Sequence, residues 1–183
     1  MLSVVQGAQA LKEGRIIAYP TEAVFGLGCC PQNIGALNNI LTLKARAPQK
    51  GMILIASHLQ QLLPYIDVLQ VPQQRMQHIL QTWPGPFTWV FPVTSLVSSL
   101  IKGQFETVAV RVTKHPIAKA LCEAFGGAIV STSANISSEE PIREATKAFD
   151  LFKNAIAGVV EGEVGDLAQP TSITDAITGQ KYR

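Results

Sequence analysis

Ala128-Ile129-Val130-Ser131-Thr132-Ser133-Ala134-Asn135 is the stretch that decides the fold. Its first three residues are apolar and predict a short buried strand. Three hydroxyls and an amide follow at once, so the strand ends in polar groups. Ligands of open α/β sheets bind past the strand ends, where hydroxyls and amides suit phosphate, ribose or carboxylate oxygens. Taken alone, the run is explained more simply as a strand-to-helix turn with Ser133 or Asn135 as the N-cap.

Composition sets the class of protein. The 183 residues are 47% hydrophobic and 15% charged, which predicts one globular domain over residues 1–183. No apolar run approaches the roughly 20 residues that span a bilayer. The first 14 residues lack the pattern of a secretory signal, so we expect a cytoplasmic protein without a membrane partner. Cys29, Cys30 and Cys122 match no disulfide or zinc spacing, so we expect no metal site.

Predicted strands and helices alternate loosely along the chain. Helices are predicted at 3–14, from 33 to near 46, at 57–63, from 72, at 116–125 and around 144–152. Strands are predicted at 15–19, 52–56, 87–91, 108–112, 128–130, 158–161 and 171–174, with a last short strand after a turn at 178–179. This order favours an α/β fold with a twisted, open mixed sheet flanked by helices over a regular doubly wound fold.

Polar residues interrupt the apolar segment that follows the first strand. Pro20 ends this strand and presents Thr21 at its end, while the glycines of Phe25-Gly26-Leu27-Gly28 allow close backbone approach. Pro31 stands where a third glycine would complete the dinucleotide fingerprint, so that motif fails. The alternative explanation is a tight turn without a ligand.

Lys44, Arg46 and Lys50 form a cluster of cations at the end of a predicted helix. Cations there favour the helix dipole, which is the alternative explanation. Residues two apart share no helical face, but they share a side of an extended chain. If the helix unwinds near Lys44, then Lys44 and Arg46 can reach one anion. A lysine point charge beside an arginine fork is the usual pair for a polyphosphate.

Two further features allow two explanations each. Pro84-Gly85-Pro86-Phe87-Thr88 is either turn chemistry or a rigid wall for a ligand. Arg111 is the charged residue of a predicted strand, and it either faces solvent or points at an anion across the sheet end. No Walker phosphate loop, Ser-His-Asp order or metalloprotease helix is present, so a nucleotide would need a less familiar site.

Together these clusters resemble the YrdC family of threonylcarbamoyl-AMP synthases. Each motif is weak alone, but five in order at family-like spacing are specific, and they cover nearly the whole chain. The chain is similar to the short, single-domain bacterial form. The matching residues are Tyr19-Pro20-Thr21-Glu22, Lys44-x-Arg46, Pro84-Gly85-Pro86-x-Thr88, Ala109-Val110-Arg111-Val112 and Ser131-Thr132-Ser133-Ala134-Asn135, followed by Thr171-Ser172-Ile173, Asp175 and Gly179.

The resemblance implies a reaction and a fold. Such enzymes combine L-threonine, bicarbonate or CO2, and ATP into threonylcarbamoyl-adenylate and pyrophosphate. A separate complex then transfers the threonylcarbamoyl group to the adenosine beside the anticodon of tRNAs that read codons beginning with A. The implied fold holds its substrates on the concave face of a twisted open sheet. Mg²⁺ is expected to arrive with ATP, because no protein cage for it is visible.

The resemblance also suggests roles for individual residues. Lys44 and Arg46 are the catalytic candidates, and with Lys50 they would hold the phosphates and stabilise the leaving pyrophosphate. The substrate-binding candidates are Thr21, Lys50, Thr88, Arg111, Ser131, Ser133 and Asn135.

The resemblance suggests different ligands for different members of this set. Ser133 and Asn135 would orient the α-phosphate or ribose. Thr21 and Thr88 would bind the amino-acid end. Arg111 would pair with either the threonine carboxylate or a phosphate.

Two other functions compete with this one. A non-catalytic protein of the same fold could bind double-stranded RNA or tRNA through phosphate contacts alone, which explains the cations but not the clustered hydroxyls. A relative that handles carbamoyl phosphate, as in hydrogenase maturation, is the other alternative. Such domains usually sit within larger chains, which counts against it here.

Overall fold

The computed structural model describes residues 1–137, 139–169 and 171–183. Within these ranges the strands β1 to β7 span Ile17–Pro20, Phe25–Gly28, Ile53–Ala56, Phe87–Pro92, Thr107–Val112, Ile129–Ser133 and Ser172–Asp175. The α-helices α1 to α6 span Val4–Lys12, Ile34–Leu43, Gln73–Thr82, Ser99–Lys102, Pro116–Phe125 and Ala145–Phe152. Short 3-10 turns occur at Pro48–Lys50, Leu59–Gln61, Val68–Gln70 and Lys153–Ala155.

The strands form one open mixed sheet in the order β1-β2-β6-β3-β5-β4-β7. The pairs β3–β5 and β4–β7 are parallel, and the other neighbours are antiparallel. The predicted α/β fold with a mixed sheet flanked by helices is therefore confirmed.

Both faces of the sheet are buried, because successive residues of a strand point to opposite sides. Ile55 and Ile129 pack with Leu11 of α1 and Leu121 of α5. Their neighbours Leu54 and Val130 point the other way and pack with apolar residues of α2 and α3, namely Leu37, Ile40 and Ile79. Helices therefore pack on both faces, as the two-sided hydrophobic pattern requires.

Local capping chemistry explains where several helices begin and end. Ser3 and Gln6 form a capping box at the start of α1. Pro116 is the first residue of α5, and Gly126 ends this helix in the left-handed conformation with a φ of 89°. Both helices were predicted, the first from Ser3 as its N-cap and the second from Pro116 and Gly126.

Some predicted elements differ in the structure. Phe25–Gly28 is a strand and not a tight turn, because its glycines let β2 lie close to bulky neighbours: a Cβ on Gly28 would be 2.7 Å from Tyr19 Cε1 and 2.9 Å from the Val130 carbonyl oxygen. The predicted strand at 158–161 makes only isolated bridges to Leu2 and Ala18. The predicted helix at 57–63 is the 3-10 turn Leu59–Gln61, with no side-chain cap.

Candidate active site

A cavity of about 570 Å³ lies over one face of the sheet. Its floor follows the strand register, in which Gly26 pairs with Ser133, Ile53 pairs with both Ser131 and Ala109, and Ala109 pairs with Val90. All six residues line the cavity. Most of these side chains are small, so the sheet leaves space for a ligand where the helices do not cover it.

The cavity lining carries an excess of positive charge, although Arg111 is paired with Glu22 and Lys102 with Glu106, which lie outside the lining. Among the described residues that line it, none is Asp or Glu, and the cations are Arg46, Lys50, Lys102, Arg111 and Arg183. Burial, together with the like charge of Arg111, lowers the pKa of Arg183. The crowded cations suit an anion of several charges.

Arg111 lies at the buried end of the cavity and is paired with Glu22. Its Nη2 lies 3.1 Å from Glu22 Oε2, and the two side chains are only 6% and 9% exposed. Thr113 Oγ1 and the Lys114 N–H donate to Glu22 Oε1 at 2.6 and 3.3 Å. Burial alone would raise the pKa of Glu22, but the charge of Arg111 and these hydrogen bonds lower it below its usual range.

Two threonines complete the surroundings of Arg111. Its Nη1 donates to Thr171 Oγ1 at 3.1 Å and to Thr88 Oγ1 at 3.4 Å, and the two hydroxyls lie 3.0 Å apart. Thr171 lines the cavity, whereas Thr88 is fully buried beneath it. Of the two explanations for Arg111, the solvated position is not observed, because Glu22, Thr88 and Thr171 surround its guanidinium.

Arg46 and Lys50 face the cavity from the chain that follows α2. Arg46 donates through Nε and Nη2 to the Gly51 carbonyl oxygen at 3.2 and 2.8 Å. Lys50 is exposed at the end of the 3-10 turn Pro48–Lys50. Gly51 has a φ of 62°, a conformation that favours glycine and turns the chain into β3.

Lys44 does not join them. The helix α2 ends at Lys44 in a Schellman motif, in which the N–H groups of Ala45 and Arg46 donate to the Thr42 and Leu41 carbonyls. Ala45 has a φ of 47°, so Lys44 and Arg46 leave the helix in different directions. The predicted unwinding is observed, but Lys44 is buried outside the cavity lining. The two cations therefore do not reach one anion.

The polar run of β6 is divided between the cavity and its support. Ser131, Thr132 and Ser133 line the cavity. Asn135 does not, and instead its Oδ1 accepts from Ser133 Oγ at 2.6 Å. Neither Ser133 nor Asn135 is the N-cap of a helix, because a turn follows β6. Thr21 lines the cavity too, and its hydroxyl donates to the Val24 carbonyl at 2.7 Å.

Several cavity residues were not anticipated. Lys102 ends α4, a helix too short to give a periodic pattern, and Arg183 reaches the cavity from the end of the chain. Phe105 and Tyr182 line the cavity with exposed rings. The motif Thr171-Ser172-Ile173 was a sequence signal for this side of the site, and the structure places its strand β7 beside β4.

Residues 1–137, 139–169 and 171–183 contain no group of three or more His, Cys, Asp or Glu side chains that could hold a metal ion. None of their helices is long and apolar enough to cross a membrane.

The fold and the cavity define a class: single α/β units with an open mixed sheet and a cationic, hydroxyl-lined cavity on one face. A family model for Sua5, YciO and YrdC, described as "Telomere recombination", matches residues 9–183, and the chain belongs to this family. A threonylcarbamoyl-AMP synthase of Aliivibrio fischeri is 49% identical over 183 residues, which are 100% of this chain and 99% of that protein.

Solved structures agree with this assignment. Sua5 of P. abyssi complexed with L-threonine superposes with a TM-score of 0.87 and 29% identity, covering 94% of this chain and 50% of that one. This chain therefore spans about half the length of Sua5. YciO of E. coli has a TM-score of 0.82 at 23% identity, covering 98% and 89% of the two chains, and supports the fold alone.

Proposed function

We propose that this chain is a threonylcarbamoyl-AMP synthase, which converts L-threonine, bicarbonate or CO2, and Mg-ATP into threonylcarbamoyl-adenylate and pyrophosphate. The observation that carries the proposal is the cavity itself: its lining has five cations and no carboxylate among the described residues, beside a floor of hydroxyls. The name shared by relatives such as that of Aliivibrio fischeri, and the threonine bound to Sua5, support the same reaction.

Burial divides the cavity into two ends that suit the two substrates. Thr21, Arg111, Ser131 and Thr171 are at most 8% exposed and form the deep end. Because Glu22 already balances the charge of Arg111, this end suits a zwitterion that needs hydroxyl partners and one guanidinium. We assign it to threonine, with its carboxylate toward Arg111.

The outer end suits the nucleotide. Arg46, Lys50, Lys102 and Arg183 line the cavity and are less buried than the deep end, and Lys102 is paired with Glu106 at 2.6 Å. They would bind the triphosphate, with Mg²⁺ arriving as part of Mg-ATP. The rings of Phe105 and Tyr182 are 47% and 56% exposed at the same end, where one face of the adenine could stack.

This arrangement can perform the reaction by positioning and charge neutralisation. The threonine amine adds to CO2 and loses a proton, which gives a carbamate. A carbamate oxygen then attacks the α-phosphorus, a new P–O bond forms, and the bond to pyrophosphate breaks. The outer cations neutralise the charge that develops on the leaving pyrophosphate. The deep end holds the attacking carbamate oxygen in line with the P–O bond that breaks.

Threonine-dependent release of pyrophosphate tests the proposal directly. The chain is incubated with Mg-ATP and bicarbonate, with and without L-threonine, and pyrophosphate is measured. Arg46→Ala should lower kcat/KM by about 100- to 1000-fold, as expected for losing a charged donor to a transition state. Arg15→Ala is the matched control, because Arg15 is exposed and lies outside the cavity. A folded wild-type protein that releases no threonine-dependent pyrophosphate contradicts the proposal.

Two further steps belong to the same proposal. The adenylate would be consumed by a separate complex that modifies the adenosine beside the tRNA anticodon. The outer cations are also what a binding surface for tRNA or double-stranded RNA needs. If the chain binds RNA with a steep salt dependence and releases no pyrophosphate, RNA binding without catalysis is the correct function.

A further inference from the structure

Lys44 has all three of its N–H donors occupied by protein oxygens. Its Nζ donates to the carbonyls of Ser133 and Asn135, the latter at 2.7 Å, and to Asn135 Oδ1 at 3.0 Å. An ammonium group has three donors and no acceptor. With Lys44 only 1% exposed, this ammonium has no donor left for a phosphate.

Both ends of Lys44 hold the same turn. Its carbonyl oxygen accepts from the Ser137 N–H at 2.9 Å, while its ammonium holds the two carbonyls before that position. Asn135 extends the network, since its Nδ2 donates to the carbonyls of Ile136 and Glu139 at 3.0 and 2.7 Å. The end of α2 and the turn after β6 are thus joined as one unit.

The turn matters because it carries a cavity residue. Ser133 lines the cavity and donates through Oγ to Asn135 Oδ1, the same oxygen that Lys44 binds. Without Lys44, the side-chain amide of Asn135 would lose this contact, and both the turn and the Ser133 hydroxyl could move.

Lys50 provides the contrast on the same segment. It is exposed, it lines the cavity, and no acid side chain within the described residues lies in ion-pair distance of its ammonium. Its charge is therefore available to a ligand, whereas that of Lys44 is committed to the protein.

We infer that Lys44 is a positioning residue, which holds Ser133 in place through the turn after β6 and does not touch the phosphates. This inference rests on the proposed function, in which Arg46 and Lys50 bind the phosphates. Burial, together with the like charge of Arg46, lowers the pKa of Lys44 to about 8, which agrees with an ammonium removed from solvent.

Amine labelling of the intact protein separates the two roles. The chain is treated briefly with acetic anhydride at neutral pH, and acetylation of each lysine is quantified by mass spectrometry with and without Mg-ATP or inorganic pyrophosphate. Lys50 should react rapidly and be protected by either anion. Lys44 should react at least roughly tenfold more slowly in the free protein, because its ammonium becomes accessible only when the protein unfolds locally. The anions should change its rate of acetylation little. Rapid labelling of Lys44 that ATP abolishes would overturn the inference.

Kinetics supply a second test with its own control. Lys44→Met should lower kcat by roughly 10- to 100-fold through misplacement of Ser133, while inhibition by pyrophosphate stays within about twofold of wild type. Lys50→Met should weaken that inhibition. Lys44→Met and Ser133→Ala should be less than additive in kcat, because they remove one unit. If Lys44→Met weakens pyrophosphate inhibition as much as Lys50→Met, Lys44 binds phosphate directly.

These measurements stay informative in every case. If Lys44→Met fails to fold, the labelling of the wild-type protein still distinguishes a positioning role of Lys44 from direct phosphate binding. If the wild-type protein releases no threonine-dependent pyrophosphate, the proposed function fails, but protection of Lys50 and not Lys44 by pyrophosphate would still support the structural assignment.

Discussion

Glu22→Gln is expected to destabilise the protein strongly, although it removes a single charge. Glu22 is 3.1 Å from Arg111, and both side chains are less than 10% exposed. Breaking a buried ion pair at one partner costs about 3–5 kcal/mol, because the other charge stays buried without compensation. Glutamine still offers an oxygen to Thr113, so we expect the lower end, about 3 kcal/mol, or roughly 6–12 °C in Tm for a chain of this size.

The effect should depend on pH in a definite direction. The pKa of Glu22 is lowered in the folded protein from its usual value of 4.5. A lowered carboxyl pKa contributes stability that is fully present above the unfolded pKa and is lost as pH falls through the folded pKa. The difference between wild type and Glu22→Gln should therefore be constant at neutral pH and shrink below about pH 4.5.

Urea unfolding at several pH values measures both quantities. Glu144→Gln is the control, because its pair with Lys147 is shorter than the buried pair, at 2.6 Å, but its side chains are 59% and 67% exposed. Such surface pairs contribute about 0–1 kcal/mol. If Glu22→Gln costs no more than Glu144→Gln at pH 7, the buried pair does not stabilise this fold as argued.

A double-mutant cycle isolates the pair itself. Arg111→Met removes the cation, Glu22→Leu removes the carboxylate, and the double variant replaces both charges by apolar groups. The double variant should be more stable than the sum of the single losses predicts, since neither charge remains buried alone. Strict additivity would show that the two side chains do not interact in solution.

Two predictions concern close packing and the outer end of the cavity. Gly28→Ala should lower the free energy of unfolding, measured in urea, by about 1–3 kcal/mol, because its Cβ would lie 2.9 Å from the Val130 carbonyl oxygen. Gly127→Ala is the control and should be tolerated, because the nearest atom to its Cβ is 3.8 Å away. Equal losses in the two variants would contradict close packing at Gly28. Phe105→Ala should raise KM for ATP about fivefold or more with little change in the threonine KM, as expected for losing about 1–3 kcal/mol of base stacking. Steady-state kinetics with each substrate varied in turn measures both constants, and an equal rise in the two would contradict stacking of the adenine on Phe105.

Features that depend on neighbouring residues were predictable from the sequence. The N-cap at Ser3 and the Pro116 start of α5 need only a few adjacent residues, so their patterns predicted both helices. The short apolar runs around Ile55 and Val110 predicted strands there. The strand Phe25–Gly28 was missed because glycines oppose strand formation locally, and only the surrounding side chains make them necessary there.

Contacts between distant residues were not predictable in the same way. Glu22 reaches Thr113 across 91 positions, and Lys44 reaches Asn135 across the same number. The sequence predicted both segments as sites, but it did not indicate that Arg111 is paired or that Lys44 is buried. Arg183 and Lys102 had no local pattern, since they join the cavity only through chain packing.

The sequence alone therefore determined the family and the strand that carries Ser131 and Ser133, because local periodicity and an ordered set of motifs do not depend on how the chain closes. Only the tertiary structure decided which polar side chains face the cavity. Lys44 and Arg46 are two positions apart, yet the left-handed turn at Ala45 sends one into the protein and the other to the cavity. A side chain's direction depends on the backbone around it and on what fills the space beyond, and both are fixed only when the sheet assembles.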